Sequence, residues 1–271
     1  MNTATWQRPV SVAELRRAWH AVQDGQFRGR PATLRTKAEP RASGDPDATW
    51  TPATGEDVHL VLGCAGQVGA STVALAMAGA VDGPARLVEC ASLPMSGLVM
   101  ASDAELGLHP SGWLRGTRGD LAVQRRSDHG GDHRVPAPME ADAPGATVLD
   151  AGMVWPLTRG AGWLATAAQS ATHLVVVGRM SVPGLRRLEG CVDLLGVGRV
   201  VAAVVGPARR GWPRSVACTA GPLTRQLLES GRLVCVPEDW RLRMSGITSE
   251  DLPRPVLAAG RGLLNLMEGS D

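Results

Sequence analysis

The sequence predicts an α/β domain with a mostly parallel, doubly wound sheet, preceded by an N-terminal helix and a linker. Apolar runs such as VHLVLG, HLVVVG and RVVAAVVG alternate with helical stretches over residues 57–271. A glycine-rich segment, residues 63–72, stands between the first of these runs and the first helical stretch. Continuously apolar strands separated by helices indicate a parallel sheet that is covered on both faces.

The chain divides into three parts. Residues 1–26 contain a helical segment, because Ser11 and Glu14 have the spacing of a capping box and apolar residues then recur at helical intervals. Residues 27–56 are rich in Arg, Pro, Gly and Thr without any period, which predicts a flexible linker. Residues 57–271 form the α/β domain, and limited proteolysis is expected to leave a core that starts between residues 51 and 58.

Within the domain, six strands are predicted, with the sequences VHLVLG, ARLVEC, ATVLDAG, HLVVVG, RVVAAVVG and RLVCVP. Residues 92–108 are expected to be loop and helix, and residues 115–145 an irregular insertion that holds at most a short hairpin. Two further helices are expected over residues 221–231 and 255–267. Apolar residues of the last one lie on one face, which favours packing on the core over binding to a membrane surface.

Composition excludes several classes of protein. No apolar run approaches the roughly 18–20 residues of a membrane-spanning helix, and the N-terminus lacks the apolar core of a signal peptide, so a cytoplasmic protein is expected. The five cysteines are scattered and include no C-x-x-C pair, which argues against a disulfide framework or a zinc site. Lys37 is the only lysine and tyrosine is absent, a bias typical of high-GC actinobacterial genomes.

The segment from Gly63 to Thr72, GCAGQVGAST, has the residues of an anion-binding turn. Glycines between a strand and a helix let backbone N–H groups surround an anion, and the helix dipole adds a favourable field. Ser71 occupies the position at which a phosphate loop holds Mg²⁺. The alternative is a tight structural turn that binds nothing.

A dinucleotide-binding fold is a second interpretation of the same glycines. The spacing G-x-x-G-x-x-G resembles the short-chain dehydrogenase form of that motif, and Glu89, twenty residues after Gly69, is then placed to bind the ribose hydroxyls. Reductases of this type use a tyrosine and a lysine, and neither is present in the domain. Only a non-catalytic NAD-binding domain stays open on this interpretation.

The order of motifs resembles the MinD/ParA family of phosphate-loop ATPases over most of residues 58–267. Residues 65–72 align with the deviant Walker A pattern K-G-G-x-G-K-T-T, VLDAG with the Walker B strand and VCVPEDW with the late V-P-x-D turn. The resemblance implies ATP or ADP bound with Mg²⁺, and it assigns a set of binding residues: Gly66, Val68, Gly69, Ala70, Ser71, Thr72, Asp150 and Pro237. Ser71 and Asp150 are the implied metal-binding pair.

The chain departs from the family at the charged positions. Ala65 and Ala70 replace both lysines, and Ala91 stands near the position of the family's catalytic aspartate. Cationic groups at the transferred phosphate are worth about 10³- to 10⁵-fold in rate, so hydrolysis is expected to be slow or absent and no catalytic residue is assigned. Three outcomes stay open: nucleotide binding without turnover, no nucleotide, or an unorthodox ATPase that uses Arg115, Arg118 or Arg179.

The family resemblance also implies a cellular role. Its members position plasmids, chromosomes or division machinery, so a degenerate member is expected to act as a regulatory, positioning or scaffolding subunit. The face with the phosphate loop would bind a protein partner or a second copy of the chain. Non-specific DNA binding through surface arginines is the remaining alternative.

Two weaker motifs have simple alternatives. Residues 128–133, DHGGDH, contain metal-ligand types but lie in a glycine-rich loop, so a solvated turn is favoured over a metal site. Residues 209–214, RRGWPR, combine cations with an aromatic residue, as in a nucleic-acid contact, but an exposed loop after the fifth strand explains them equally.

Overall fold

The computed structural model describes residues 49–128, 135–141, 145–159 and 162–269. All of these residues belong to one compact unit, residues 42–271. The expected N-terminal helix over residues 11–26, and the expected linker as far as residue 48, lie outside the described residues.

The described residues form one sheet that contains nine strands. The strands are β1 (Asp57–Gly63), β2 (Ala85–Glu89), β3 (Ala104–Leu108), β4 (Trp113–Arg118), β5 (Leu121–Arg126), β6 (Ala146–Met153), β7 (Leu174–Arg179), β8 (Val200–Val205) and β9 (Leu233–Val236). Their order is β3-β4-β5-β2-β6-β1-β7-β8-β9. Neighbours from β5 to β9 are parallel, whereas β3, β4 and β5 form an antiparallel meander at one edge.

Helices cover both faces of the sheet. They are α1 (Ala70–Ala78), α2 (Val154–Arg159), α3 (Trp163–Ser170), α4 (Val182–Leu195), α5 (Arg214–Ala217), α6 (Pro222–Glu229), α7 (Trp240–Ser245) and α8 (Arg254–Glu268). One core lies between α1, α8 and the sheet, and a second core lies between α3, α4, α6 and the opposite face. The predicted mostly parallel, doubly wound α/β fold is confirmed.

The predictions for residues 92–108 and 115–145 were partly wrong. Instead of a helix, residues 92–108 form a 3₁₀ turn, Leu93–Met95, and the edge strand β3. The hairpin expected after residue 115 is present as β4 and β5, but it extends the main sheet rather than forming an irregular insertion. Apolar content did not reveal these strands because β5 ends in Gln124, Arg125 and Arg126, whose side chains are all buried.

Two residues that precede the predicted start of the domain at residue 57 contact the rest of the domain. The Trp50 ring packs edge-on against Trp163, with 5.1 Å between ring centroids. Glu56 is an ion-pair partner of Arg86, with 2.6 Å between the carboxylate and the guanidinium and both side chains nearly inaccessible to solvent. Residues 50–56 therefore belong to the folded domain. Unfolding of this segment would leave the buried Arg86 guanidinium without its ion-pair partner, which is energetically costly.

These contacts predict that the protease-resistant core begins before Trp50 rather than between residues 51 and 58. A protease of broad specificity, followed by N-terminal sequencing and intact mass measurement, should give a stable fragment that begins between residues 42 and 50. A core that begins beyond Glu56 would contradict the packing of Trp50 and Glu56. Protection of the entire N-terminal segment would instead contradict the flexible linker predicted for residues 27–56.

The last helix packs on the core as the sequence predicted. Val256, Leu263, Leu264 and Met267 of α8 are buried against α1. Gly260 permits the close approach of the two helices, since a Cβ atom there would lie 2.4 Å from the Ala76 carbonyl. In the described part of the chain, no helix is long and apolar enough to cross a bilayer.

Candidate functional site

The glycine-rich segment forms a loop at the carboxyl end of β1 and leads directly into α1. β1 lies between β6 and β7 in the sheet. The chain runs from β1 to β2 on one side of it and from β6 to β7 across to the other side, so the loop sits at the switch point of the sheet. Crevices at such points are where open α/β sheets bind ligands. Gly69 (φ 97°, ψ 22°) is the residue that turns the chain into α1, in a conformation that favours glycine.

The loop presents a row of backbone donors. The N–H groups of residues 66, 67 and 69–72 donate to no acceptor in the described part of the chain, and residues 66 and 67 form a turn. Gln67 (φ 60°) and Gly69 both have left-handed backbone conformations, and Gln67 is the one non-glycine residue with positive φ that the described ranges contain. Successive N–H groups in such a turn form a concave anion site, and the first turn of α1 adds its dipole.

Small and apolar side chains hold this loop on the core. Val68 is buried, and Ala65 and Ala70 pack against the same core beneath it. Gly63 closes the base of the turn, since a Cβ atom there would lie 3.0 Å from the Ala65 carbonyl oxygen. The two alanines at the family's lysine positions thus supply packing and no charge.

Asp150, in the carboxyl half of β6, is a buried carboxylate beside the start of α1. Its Oδ2 atom is buried without a hydrogen-bond partner among the described residues. Burial raises the pKa of Asp150 to about 6, although the Ser71 hydroxyl and the Gly152 N–H lower it in part. An orphaned carboxylate oxygen next to a serine hydroxyl fits the oxygen donors that Mg²⁺ prefers.

Glu89 is a second buried carboxylate, which sequence reasoning had assigned only to the dinucleotide interpretation. It is the direct neighbour of Asp150 across β2 and β6. Its carboxylate accepts hydrogen bonds from the Ser96 hydroxyl (2.5 Å), the Gly97 N–H (2.7 Å) and the Leu98 N–H (3.1 Å). Burial, with the nearby Asp150 charge, raises the pKa of Glu89 to about 7.

These three hydrogen bonds hold residues 96–98 against the start of α1. A Cβ atom on Gly97 would lie 2.6 Å from the Ser71 hydroxyl oxygen, so no larger residue fits there. Gly97 was missed by sequence reasoning because no motif marks it. Two acidic residues, one at the end of each of two strands, were the available signal for Glu89.

Of the three arginines considered as replacements for the lysines, only Arg179 lies at the right edge. It ends β7, the neighbour of β1, and forms an ion pair with Glu238. The Arg118 guanidinium instead donates to the backbone carbonyls of Ala101 (2.8 Å) and Thr248 (2.6 Å). Arg115 lies on β4, four strands from β1. The structure therefore contradicts a phosphate-binding role for Arg115 and Arg118.

Pro237 follows β9 at the same edge of the sheet as the loop, but three strands away from β1. Three strand spacings correspond to roughly 14 Å. Pro237 thus lies apart from Ser71 and Asp150, and its assignment beside the nucleotide base stays a prediction. The structure brings the sequence-predicted residues between Gly66 and Thr72 together with Asp150.

The strand order contradicts the dinucleotide interpretation. In that fold the second strand of the first βαβ unit lies next to the first. Here β6 separates β1 from β2. Glu89 is also occupied by residues 96–98, so it is unavailable to a ribose.

The two weaker motifs gain no support. Asp128 forms an ion pair with Arg126 at 2.6 Å, and residues 129–133 lie outside the described residues. No three His, Cys, Asp or Glu side chains within the described ranges are grouped as a metal ion would require. Trp212 is buried and donates its indole N–H to the Pro207 carbonyl, so it offers no stacking platform for bases.

Comparisons with known proteins find likeness only among solved structures. Neither a protein-family model nor a curated protein matches the chain. A Borrelia burgdorferi protein described as a plasmid partition protein, bound to AMPPNP, is 11% identical, with TM-score 0.47 over 80% of this chain and 99% of that one. A variant of McdA from Cyanothece in complex with ATP is 13% identical, with TM-score 0.47 over 79% and 97%. The cell division ATPase MinD of Pyrococcus furiosus is 12% identical, with TM-score 0.44 over 78% and 98%. Likeness this distant assigns no function to this chain.

The paired carboxylates predict a pH dependence of stability. A raised pKa means that the folded state holds a proton that the unfolded state releases, so the free energy of unfolding falls as pH rises from about 4.5 to about 7. His59, whose pKa is lowered by burial, contributes the opposite slope near pH 6. Glu89→Gln is therefore compared with the wild type at each pH. The free energy of unfolding of the variant minus that of the wild type, from urea unfolding, should rise across this window. Parallel profiles would contradict shared burial of the two acids.

Proposed function

We propose that the loop from Gly63 to Thr72 binds the phosphates of ATP or ADP, with Mg²⁺ held by Ser71 and Asp150, and that turnover is slow or absent. The observation that carries the proposal is the row of unpaired N–H groups of residues 66, 67 and 69–72, beside the orphaned Asp150 oxygen. Donors of this kind bind phosphate oxygens without any cationic side chain. A bound Mg²⁺ would supply the positive charge that the alanines at positions 65 and 70 do not.

The balance of charge supports Mg²⁺ dependence. Two carboxylates, Glu89 and Asp150, lie buried beside the loop, and Arg179 is already paired with Glu238. A nucleotide without metal would bring further negative charge towards Asp150, at an energetic cost that grows in a low-dielectric site. Ser71 and Asp150 would place the metal between that charge and the phosphates.

Slow turnover follows from the missing cations. The isolated protein is expected to hydrolyse ATP no faster than its Asp150→Ala variant, measured as phosphate release with Mg²⁺ present. Turnover that disappears in Asp150→Ala or Ser71→Ala would contradict the proposal that this protein binds nucleotide without hydrolysing it. If that turnover also disappeared in Arg179→Ala, the unorthodox ATPase with an arginine in place of the lysine would be the better account.

We further propose that the edge of the sheet bearing the loop binds a protein partner or a second copy of the chain. Exposed apolar side chains border this edge on two sides: Met95 and Met100 flank residues 96–98, while Trp240 and Met244 lie on α7, just after β9. Apolar groups grouped at one exposed edge are typical of interaction surfaces. A regulatory, positioning or scaffolding role, as in the MinD/ParA family that the motifs resemble, fits such a surface.

Sedimentation velocity with and without ATP and Mg²⁺ tests the second-copy form of this proposal. Nucleotide-dependent dimers should be weakened by Trp240→Ala and unaffected by a substitution on the distant strand β3, such as Leu106→Ala. DNA binding through surface arginines stays an alternative prediction from the sequence. Trp212 does not support it, because its ring is buried.

A further inference from the structure

Cys64 is the first residue of the loop after β1. Its N–H donates to the Val177 carbonyl of β7 at 2.9 Å, and its Sγ lies 2.9 Å from the same oxygen. The side chain is partly accessible to solvent. A change at this sulfur therefore acts directly on the backbone that begins the loop.

Cys191, on α4, faces the same position. Gly178 of β7 leaves room between the loop and the helix: a Cβ atom there would lie 3.3 Å from the Cys64 sulfur and 3.5 Å from the Leu188 Cβ atom. Cys191 follows Leu188 by three residues and so shares its face of α4. The Cys64 and Cys191 side chains pack against the same core and lie close enough for the two thiols to interact.

The other three cysteines provide internal comparisons. Cys90 is fully buried, Cys218 is exposed and Cys235 is half-buried near Trp212 and Arg209. Within the described part of the chain, Cys64 and Cys191 are the cysteines that contact each other.

We propose that Cys64 and Cys191 are a redox-sensitive pair that forms a disulfide under peroxide, and that this disulfide ties the start of the loop to α4. The crosslink itself does not depend on the proposed nucleotide binding. Both cysteines are partly exposed residues, which leaves a route for a small oxidant such as hydrogen peroxide.

The chemistry requires one equivalent of peroxide. The interaction with Cys64 lowers the pKa of the Cys191 thiol, so Cys191 is the first nucleophile. Its thiolate attacks a peroxide oxygen, the O–O bond breaks, and protonation of the leaving hydroxide gives water and a sulfenic acid. The Cys64 sulfur then attacks the sulfenic sulfur, the S–O bond breaks, and the hydroxide leaves with the Cys64 proton as a second water. Two thiols are oxidised to one disulfide, and peroxide is reduced to two waters.

The new bond also breaks an existing contact. A disulfide holds its sulfurs about 2.0 Å apart, shorter than any hydrogen-bonded contact of two thiols. The Cys64 sulfur must give up its proton, and with it the hydrogen bond to the Val177 carbonyl. The Cys64 N–H keeps its hydrogen bond to the same carbonyl, so β7 still holds the backbone while the crosslink adds a covalent anchor to α4.

Tryptic peptide mapping tests the crosslink, because each cysteine falls in its own peptide. Cleavage after arginine gives residues 42–86 with Cys64, 188–199 with Cys191, 87–115 with Cys90, 215–225 with Cys218 and 233–241 with Cys235. After treatment of the full chain with hydrogen peroxide and blocking of free thiols, the dominant linked species should join residues 42–86 to 188–199. Dithiothreitol should release it.

Variants and a loop readout complete the test. Cys64→Ser and Cys191→Ser should each abolish the crosslink, whereas Cys218→Ser should leave it unchanged. Hydrogen exchange of the 42–86 peptide should differ between oxidised and reduced wild-type protein, and not between peroxide-treated and untreated Cys191→Ser. Oxidation of Cys218 without any 64–191 crosslink, or a crosslink that leaves the exchange unchanged, would overturn the proposal. Both readouts stand whether or not the protein binds nucleotide.

Discussion

Replacing Gly69 by valine is expected to abolish the stabilisation that ATP and Mg²⁺ give to this protein. Gly69 has φ 97°, where a β-branched residue is strongly disfavoured, and a Cβ atom would lie 3.2 Å from the Val205 side chain. The backbone N–H groups must therefore move away from the anion. Saturation at about 100 times the dissociation constant should stabilise the wild type by roughly 2.7 kcal/mol. For a domain of this size each kcal/mol raises the melting temperature by about 2–4 °C.

Gly119 provides a matched control for this variant. It also has positive φ (55°), in the turn between β4 and β5, and open space surrounds the position of its Cβ atom. Gly119→Val should therefore cost stability through backbone strain while keeping the full shift of the melting temperature with ATP and Mg²⁺. If both variants keep that shift, or both lose it, the loop is not the nucleotide site.

Glu56→Ala is expected to destabilise the domain by about 3–5 kcal/mol, the usual cost of leaving a buried charge without its partner. The Glu56 carboxylate accepts hydrogen bonds from Arg86, Thr147 and the Ala53 N–H. Burial raises its pKa, but these hydrogen bonds more than offset that effect and the net pKa is lowered. Removing the carboxylate leaves the Arg86 guanidinium buried with Thr147 and the Met139 carbonyl as its remaining partners.

The control for Glu56→Ala is the ion pair between Asp82 and Arg261, whose side chains are 84% and 43% exposed. Asp82→Ala should change the urea midpoint far less than Glu56→Ala does, because exposed pairs are screened by solvent. Equal effects of the two substitutions would contradict a folded position for Glu56. They would return residues 49–56 to the linker that the sequence predicted.

The parallel strands and the loop were predictable because their residues follow local rules. Runs such as VHLVLG and RVVAAVV are apolar throughout, as strands buried on both faces must be. The turn into α1 was also predictable, because Gly69 has a positive φ that glycine adopts without strain.

The antiparallel edge was not predictable in the same way. Arg125 and Arg126 are buried in β5 because distant carbonyls accept their hydrogen bonds: Arg125 donates to the Val99 carbonyl and Arg126 to the Cys90 carbonyl. Sequence patterns mark such residues as exposed, since nothing local indicates these partners. Glu89 was missed for a related reason, because its role depends on the backbone of residues 96–98.

Direct titration of the purified full chain with labelled ATP and ADP, with and without Mg²⁺, tests the proposed nucleotide site most directly. We expect saturable binding that requires Mg²⁺, that is weakened in Ser71→Ala and Asp150→Ala, and that is absent in Gly69→Val. Gly119→Val should bind as the wild type does. If the wild-type protein binds neither ATP nor ADP at millimolar concentration, with or without Mg²⁺, the proposed nucleotide site is contradicted and the loop is a structural turn.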